Sequence, residues 1–156
     1  MKIIKLPQMT EIEINKALES HNICRIAFID GEYPYISPFQ YLYLNNTIYF
    51  HFTDYGKKKE ILKKNRNVCV SIEKLADDLS KYFFISIQGK LNSIENPEER
   101  KQVITKMVQE AKKKYSKNFL SAHGFEKKGG WDTFTDKNQL IYKLDDVISR
   151  IGLKSI

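Results

Sequence analysis

YFHFTDYGKKKEILKKN, residues Tyr49–Asn65, combines a predicted strand with a short predicted helix that begins at a glycine, Gly56. Before Gly56 apolar and polar residues alternate, and after it the apolar residues follow helical spacing between lysines. A strand that leads through glycine into a cationic helix start predicts an anion site, because unpaired main-chain N–H groups and the helix dipole both favour negative charge there. Phosphate is the expected anion.

The strand part of this stretch also predicts which side chains face the core. Side chains of a strand point alternately to its two faces. The face expected to pack into the core carries Ile48, Phe50 and Phe52. The opposite face is expected to form the wall of a partly polar site and carries Thr47, Tyr49, His51 and Thr53.

The composition fits one domain with a basic surface. The 156 residues are 42% hydrophobic, which is enough for one well-buried core, so residues 1–156 are expected to form a single domain. Short lysine runs bring the net charge to +7. Such a charge attracts anions generally, nucleic acid and anionic lipid included, and does not choose among them. Most of these lysines are expected to be solvated.

The sequence predicts neither a membrane span nor a metal site. Its apolar stretches are shorter than a span requires, and the N-terminal MKIIKLPQMTEIE lacks the features of a signal peptide, so a cytoplasmic location is expected. Cys24 and Cys69 lie in apolar, strand-like runs, far from a second Cys or His at ligand spacing. They are expected to be reduced, buried thiols.

Turn signals divide the chain into about six strands. Asp30–Gly31 and Asn45–Asn46 are typical of two-residue hairpin loops. Pro34 and Pro38 each remove a ladder donor, so the strand after the first hairpin is expected to be irregular or edge-like near its start. Gly89 lies within a long strand and predicts a bulge or a close backbone approach. Residues 139–156 are expected to form one or two closing strands.

Three helices are predicted among these strands. Thr10 and Glu13 form a capping-box pattern that begins a helix at about residues 10–20, and a second helix follows Gly56. A third begins at Asn96–Glu99 and runs to about Lys117. Hairpin connections make neighbouring strands antiparallel, and such a sheet tends to close into a barrel or half-barrel. The expected fold class is mainly β with flanking helices.

Five motifs follow one another in an order and spacing that resemble a known family. They are GEYPYISP at Gly31–Pro38, YFH at Tyr49–His51, Gly56–Lys58, the strand-closing Glu73, and Gly89 in SIQGKL. Together, over roughly residues 23–95, they resemble the pyridoxamine 5′-phosphate oxidase-like, FMN-binding split barrels. The length and the region around His51 are closer to the short nitroimidazole-resistance proteins than to true pyridoxamine-phosphate oxidases.

The resemblance implies a homodimer that holds two FMN molecules at its interface. The phosphate would lie near Gly56, with Lys58 matching the family's lysine and Lys57 beside it. The isoalloxazine would lie along the strand that carries Ser37. The full set of candidate cofactor-binding residues is Ser37, Phe39, Gln40, His51, Phe52, Thr53, Gly56, Lys57, Lys58 and Trp131. Trp131 is included as a contact from the partner chain, although no family motif places it.

The activity implied is that of an FMN-dependent oxidoreductase acting on a small molecule. His51 is the candidate catalytic residue, because imidazole titrates near neutral pH and can transfer a proton. NADH or NADPH is a candidate electron donor, which would dock directly over the flavin because the sequence has no GxGxxG unit. The tail ISRIGLKSI lacks the segment that grips pyridoxal phosphate in the true oxidases, so vitamin B6 oxidation is not expected.

Three alternatives stay open at this point. The protein could be a flavin carrier or sensor without catalysis, and haem or a deazaflavin could replace FMN, as in several relatives. A basic nucleic-acid-binding β-barrel is the third, because tyrosines next to cations can stack bases. Those tyrosines are Tyr33, Tyr35, Tyr41, Tyr43 and Tyr49. Their alternation with apolar residues on strands favours a core or interface position instead.

Overall fold

A computed structural model describes residues 4–116, 118–123, 129–131 and 139–156. Its elements, in chain order, are α1 (Glu11–Ser20), β1 (Ile23–Asp30), β2 (Tyr33–Leu44), β3 (Thr47–Phe52), α2 (Lys57–Lys64), β4 (Asn67–Leu75), β5 (Tyr82–Ser93), α3 (Pro97–Lys114), α4 (Asn118–Ala122) and β6 (Leu140–Lys154). In this part of the chain no helix has the length and apolarity that crossing a membrane requires.

The six strands form a closed barrel in the order β1-β2-β3-β6-β5-β4, and every neighbouring pair is antiparallel. The predicted fold class, mainly β with six antiparallel strands and flanking helices, is therefore confirmed. The third helix predicted from the sequence is α3, and the short α4 follows it. The closing segment is one strand, β6, rather than two.

The two predicted hairpins have the backbone that their residues favour. Gly31 has a φ of 64°, and Asn45 and Asn46 have φ values of 50° and 59°. Asparagine tolerates this left-handed region better than most residues with a Cβ. These turns join β1 to β2 and β2 to β3, which fixes the antiparallel order of the first three strands.

The first half of β2 lies on an edge of the barrel. Pro34 and Pro38 are opposite Ile29 and Arg25 of β1, whereas pairing with β3 covers only Tyr41–Leu44. Proline is tolerated at an edge because its missing N–H deprives no further strand of a ladder bond. Of the two forms predicted, irregular or edge-like, the edge is the one observed.

Buried side chains of the described residues form two hydrophobic clusters. The barrel interior is filled by fully buried side chains, of which Phe50, Phe28 and Ile85 are examples. The second cluster lies outside the barrel, where α3 packs against β2, β3 and β6. Its buried members are Leu42, Tyr49, Ile94, Val103, Ile104 and Ile141.

Tyr49 corrects one sequence prediction. It was expected on a partly polar wall, yet it is buried in the second cluster, and its hydroxyl donates to Glu99 Oε1 at 3.1 Å. The period of two does place Tyr49 on the outward face of β3. Because α3 covers that face, an outward side chain here faces a second core. The predicted inward residues Ile48, Phe50 and Phe52 are all buried as expected.

Gly89 marks both of the features that were predicted for it. The register between β5 and β6 shifts between Gln88 and Lys90, and a Cβ added to Gly89 would lie 2.6 Å from the main-chain oxygen of Asp145. We therefore expect Gly89→Ala to lower the free energy of unfolding by about 1–3 kcal/mol, since the backbone must move to admit the methyl group. Urea unfolding measures this change. Ser86→Ala on the same strand is the matched control, and an equal loss in both variants would contradict the argument.

Candidate functional site

The start of α2 is built as the sequence predicts. Gly56 is the N-cap, and its φ of 92° is one that residues with a Cβ rarely adopt. The three lysines that follow have different surroundings. Lys57 Nζ lies 2.8 Å from Asp30 Oδ2, and Lys59 forms an ion pair with Asp54. Within the described ranges Lys58 has no carboxylate at ion-pair distance, and its Nζ lies 5.4 Å from the centroid of the Phe39 ring.

A cavity of about 610 Å³ opens beside Lys58. It contains six of the ten residues predicted to bind a cofactor: Phe39, Gln40, His51, Phe52, Thr53 and Lys58. They come from β2, β3, α2 and the short connection after β3, which lie close together because β2 and β3 pair as a hairpin and four residues separate the end of β3 from α2. Phe39 and Phe52 are in contact, with ring centroids 4.7 Å apart. Phe39 and Phe52 therefore form an aromatic wall of the cavity, and the ammonium group of Lys58 lies beside Phe39.

The other four predicted residues lie outside the cavity lining. Ser37 is buried opposite Ile26 of β1, and Gly56 is the N-cap of α2, two residues before Lys58. Lys57 is held by Asp30 and lies over the Tyr35 ring. Trp131 stacks on Phe119, which itself lines the cavity, with centroids 5.8 Å apart. Roles in cofactor binding stay predictions for all ten residues.

His51 lines the cavity and is paired with Ile141 of β6. Burial lowers the pKa of its imidazole, a hydrogen bond with Gln139 opposes this effect, and the positive charge of Arg100 adds to it. Near pH 7 His51 is therefore neutral. A neutral imidazole can donate one hydrogen bond and accept another, which suits a group that exchanges a proton.

The lowered pKa predicts a specific pH dependence of stability. In the unfolded chain His51 takes up a proton near its ordinary pKa of 6.5, before the folded chain does. As the pH falls below that value, the free energy of unfolding therefore decreases until folded His51 is also protonated. We expect His51→Gln to flatten this decrease below about pH 6.5. Urea unfolding at several pH values measures it, and parallel pH curves for the two proteins would contradict the assignment.

The far wall of the cavity was not predicted from the sequence. It is formed by the end of α3 and by α4, through Tyr115, Phe119 and His123. These residues are spaced four apart, which would place their side chains on one helical face, and that spacing was the available signal. With His21 and His51, His123 brings all three histidines of the chain to this cavity.

Two of the five tyrosines on which the nucleic-acid alternative rests are buried in the fold. Tyr41 is buried and donates its hydroxyl hydrogen to the main-chain oxygen of Leu18 at 3.1 Å. Tyr49 lies under α3, as described above. Side chains in such positions are not available to stack on bases, whereas Tyr33 is 77% exposed, so the nucleic-acid alternative rests on fewer tyrosines than the sequence indicates.

Comparisons with known proteins agree with this architecture. The family model described as pyridoxamine 5′-phosphate oxidase matches residues 10–125. A search of curated proteins found no significant match. Among solved structures, a putative 5-nitroimidazole antibiotic resistance protein from Bacteroides thetaiotaomicron is 22% identical, with a TM-score of 0.67 over 96% of this chain and 87% of the other.

Two further solved structures share the fold at lower identity. A FAD-binding protein from Mesorhizobium loti is 14% identical, with a TM-score of 0.70 over 98% of this chain and 100% of the other. The haem storage protein from Vibrio cholerae is also 14% identical, with a TM-score of 0.67 over 92% and 94% of the two chains. Likeness at this identity shows the fold alone. Because the family model covers well over half of the sequence, the chain belongs to the pyridoxamine 5′-phosphate oxidase family.

Proposed function

We propose that the chain binds FMN in the cavity beside Lys58 and acts as an FMN-dependent oxidoreductase on a small molecule. The observation that carries the proposal is the position of Lys58, the lysine of the first turn of α2 that faces the cavity without a carboxylate partner in the described chain. Structural neighbours described as FAD-binding proteins support a flavin as the ligand.

The residues present fit the parts of FMN. Lys58 and the N–H groups after Gly56 suit the phosphate, because a helix start and an ammonium group both favour a dianion. Phe39 and Phe52 offer apolar ring surface for the isoalloxazine, and Gln40 and Thr53 offer hydrogen-bonding groups for its polar edge. A cavity of about 610 Å³ also lies within the usual range of small-molecule sites.

When bound, FMN supplies the transfer of hydride or single electrons. The chain's own residues have simpler tasks. Lys58 offsets the phosphate charge, and the aromatic wall keeps water from one side of the ring. His51, neutral near pH 7, can accept a proton on a ring nitrogen from a group in the cavity. A homodimer with FMN at its interface and a nicotinamide donor complete the proposal.

Vitamin B6 oxidation has no structural support in this chain. The arginine of the closing strand, Arg150, is bound to the side chains of Asn15 and Glu11 on α1, with Nη1 3.5 Å from Glu11 Oε2. It does not line the cavity. An arginine held in this way is not placed to bind the phosphate of a substrate there.

Anaerobic reduction tests the oxidoreductase proposal. FMN-loaded protein is mixed with NADH or with NADPH, and the visible flavin band is followed against free FMN at the same concentration. We expect at least one donor to bleach the protein-bound flavin faster than the free flavin. A flavin that stays oxidised with both donors would favour the carrier or sensor alternative. If the protein as purified has a visible spectrum typical of haem or a deazaflavin, that group rather than FMN is its cofactor.

A further inference from the structure

Three rings stack face to face where α3 gives way to α4. Tyr115 and Phe119 have centroids 4.5 Å apart at an interplanar angle of 8°, and Phe119 and His123 have centroids 4.0 Å apart at 29°. We call these three residues the aromatic column. Ring pairs in the barrel are tilted or edge-on, from 33° for Phe39 and Phe52 to 83° for Phe28 and Phe52. Trp131 also lies nearly parallel to Phe119, at 17°, and stacked rings that line a cavity offer ring surface on which a further flat ring can stack.

The column is fixed to the wall of the cavity. The side-chain amide of Asn22 donates to the Tyr115 hydroxyl, which ties the end of α3 to the segment between α1 and β1. His123 Nδ1 lies 2.8 Å from the main-chain oxygen of Phe119, so Nδ1 carries the hydrogen of this bond. In the neutral imidazole Nε2 is then left as an acceptor. All three rings line the cavity that also holds Phe39 and Phe52.

Charge on this side of the cavity is balanced. Apart from Lys58 and the histidines, the acidic and basic residues of its lining are two lysines and two glutamates. They are Lys106, Lys114, Glu19 and Glu110. Lys106 Nζ and Lys114 Nζ lie 3.4 Å and 3.7 Å from the Glu110 carboxylate. Unlike the Lys58 end, this end therefore offers no excess charge for an anion.

We infer that the aromatic column is a second binding subsite, which takes an uncharged, planar aromatic molecule carrying an O–H or N–H donor. The flat ring stacks on the column, and its O–H or N–H group donates a hydrogen bond to His123 Nε2. Naming this molecule as the substrate class rests on the proposed FMN function. Binding to the column itself does not, because none of its residues belongs to the wall around Lys58.

Trp131 provides a readout that needs no activity. It is the one tryptophan of the chain, and its ring lies 5.8 Å from that of Phe119 at 17°. FMN-free protein at pH 8 is titrated with phenol, and tryptophan emission is recorded. Three comparison compounds are titrated in the same way: anisole, which lacks the O–H donor; cyclohexanol, which lacks the flat ring; and benzoate, which carries a charge. We expect saturable binding of phenol, binding several-fold weaker for anisole, and no measurable binding of cyclohexanol or benzoate.

A variant pair locates the site. Phe119→Leu keeps an apolar side chain but removes the central ring, and we expect it to weaken phenol binding about tenfold. Phe84→Leu, on the outer face of β5, should leave phenol binding unchanged. Far-UV circular dichroism and the melting temperature show whether either variant is misfolded. Phe119→Tyr keeps the central ring, so we expect it to bind phenol as the wild-type protein does.

The outcomes separate this inference from the proposed function. Phenol that binds equally well to the Phe119→Leu variant, or cyclohexanol that binds as well as phenol, overturns the subsite. Competition between phenol and FMN for one site also overturns it, because the column would then belong to the flavin. Phenol binding in a protein that fails to bind FMN supports the subsite and contradicts the proposed function alone.

Discussion

Lys58→Gln is expected to weaken FMN binding by about 10- to 100-fold, the largest effect among single changes around the cavity. A hydrogen bond to a charged group contributes about 1.5–3 kcal/mol, which corresponds to that range of dissociation constants. Glutamine keeps much of the side-chain length and removes the charge. Isothermal titration calorimetry of the variant and the wild-type protein with FMN measures the difference.

Two other lysines of α2 control this experiment. Lys63 is exposed and pairs with Glu60 at 2.8 Å, so Lys63→Gln makes the same chemical change on the same helix away from the cavity. We expect it to leave FMN affinity unchanged. Lys57→Gln should have a smaller effect than Lys58→Gln, because Asp30 already holds Lys57. A loss at position 57 that equals or exceeds the loss at position 58 would contradict our assignment of the phosphate to Lys58.

Phe50→Ala is expected to lower the free energy of unfolding by about 3–5 kcal/mol, the range for removing a buried aromatic ring. Phe50 is 0% exposed and packs against Phe39, with centroids 5.9 Å apart at 77°. The loss combines the transfer of apolar surface with the cavity that the surrounding strands cannot fill. Urea unfolding measures it, at several protein concentrations because association would add to the apparent stability.

The exposed aromatic Tyr33 is the control for this prediction. It lies at the first position of β2 and is 77% exposed. Tyr33→Ala should change the free energy of unfolding by less than about 0.5 kcal/mol, as surface substitutions usually do. If Phe50→Ala were as mild as Tyr33→Ala, the interior of the barrel would not be packed around Phe50 as described.

Local signals account for much of what the sequence predicted correctly. Asn45–Asn46 and Gly31 specify turns through the backbone conformations that these residues tolerate, and the hairpins follow from them. The alternation at Ile48–Phe52 identifies the core face of β3 because the strand period is strictly two. Gly56 begins α2 for a similarly local reason. Each of these predictions depends on residues that are neighbours in sequence.

The missed features depend on contacts between distant segments. Tyr49 looked like a site residue because nothing local shows that α3 returns to cover it. The family resemblance favours Lys58 over Lys57, but the sequence does not show that Lys57 pairs with Asp30 or that Lys58 lies over the Phe39 ring. The far wall of the cavity comes from the column at residues 115–123, which begins 58 residues after Lys57, the first residue of α2. Such pairings arise from the tertiary fold and leave only a weak periodic signal in the sequence.

The central claim, that the cavity beside Lys58 holds FMN, is tested most directly by titrating flavin-free wild-type protein into FMN and recording flavin fluorescence. Our account predicts saturable quenching with one FMN bound for each chain, because each chain contributes one cavity and one Lys58. Unchanged FMN fluorescence in the presence of excess folded protein would contradict the account.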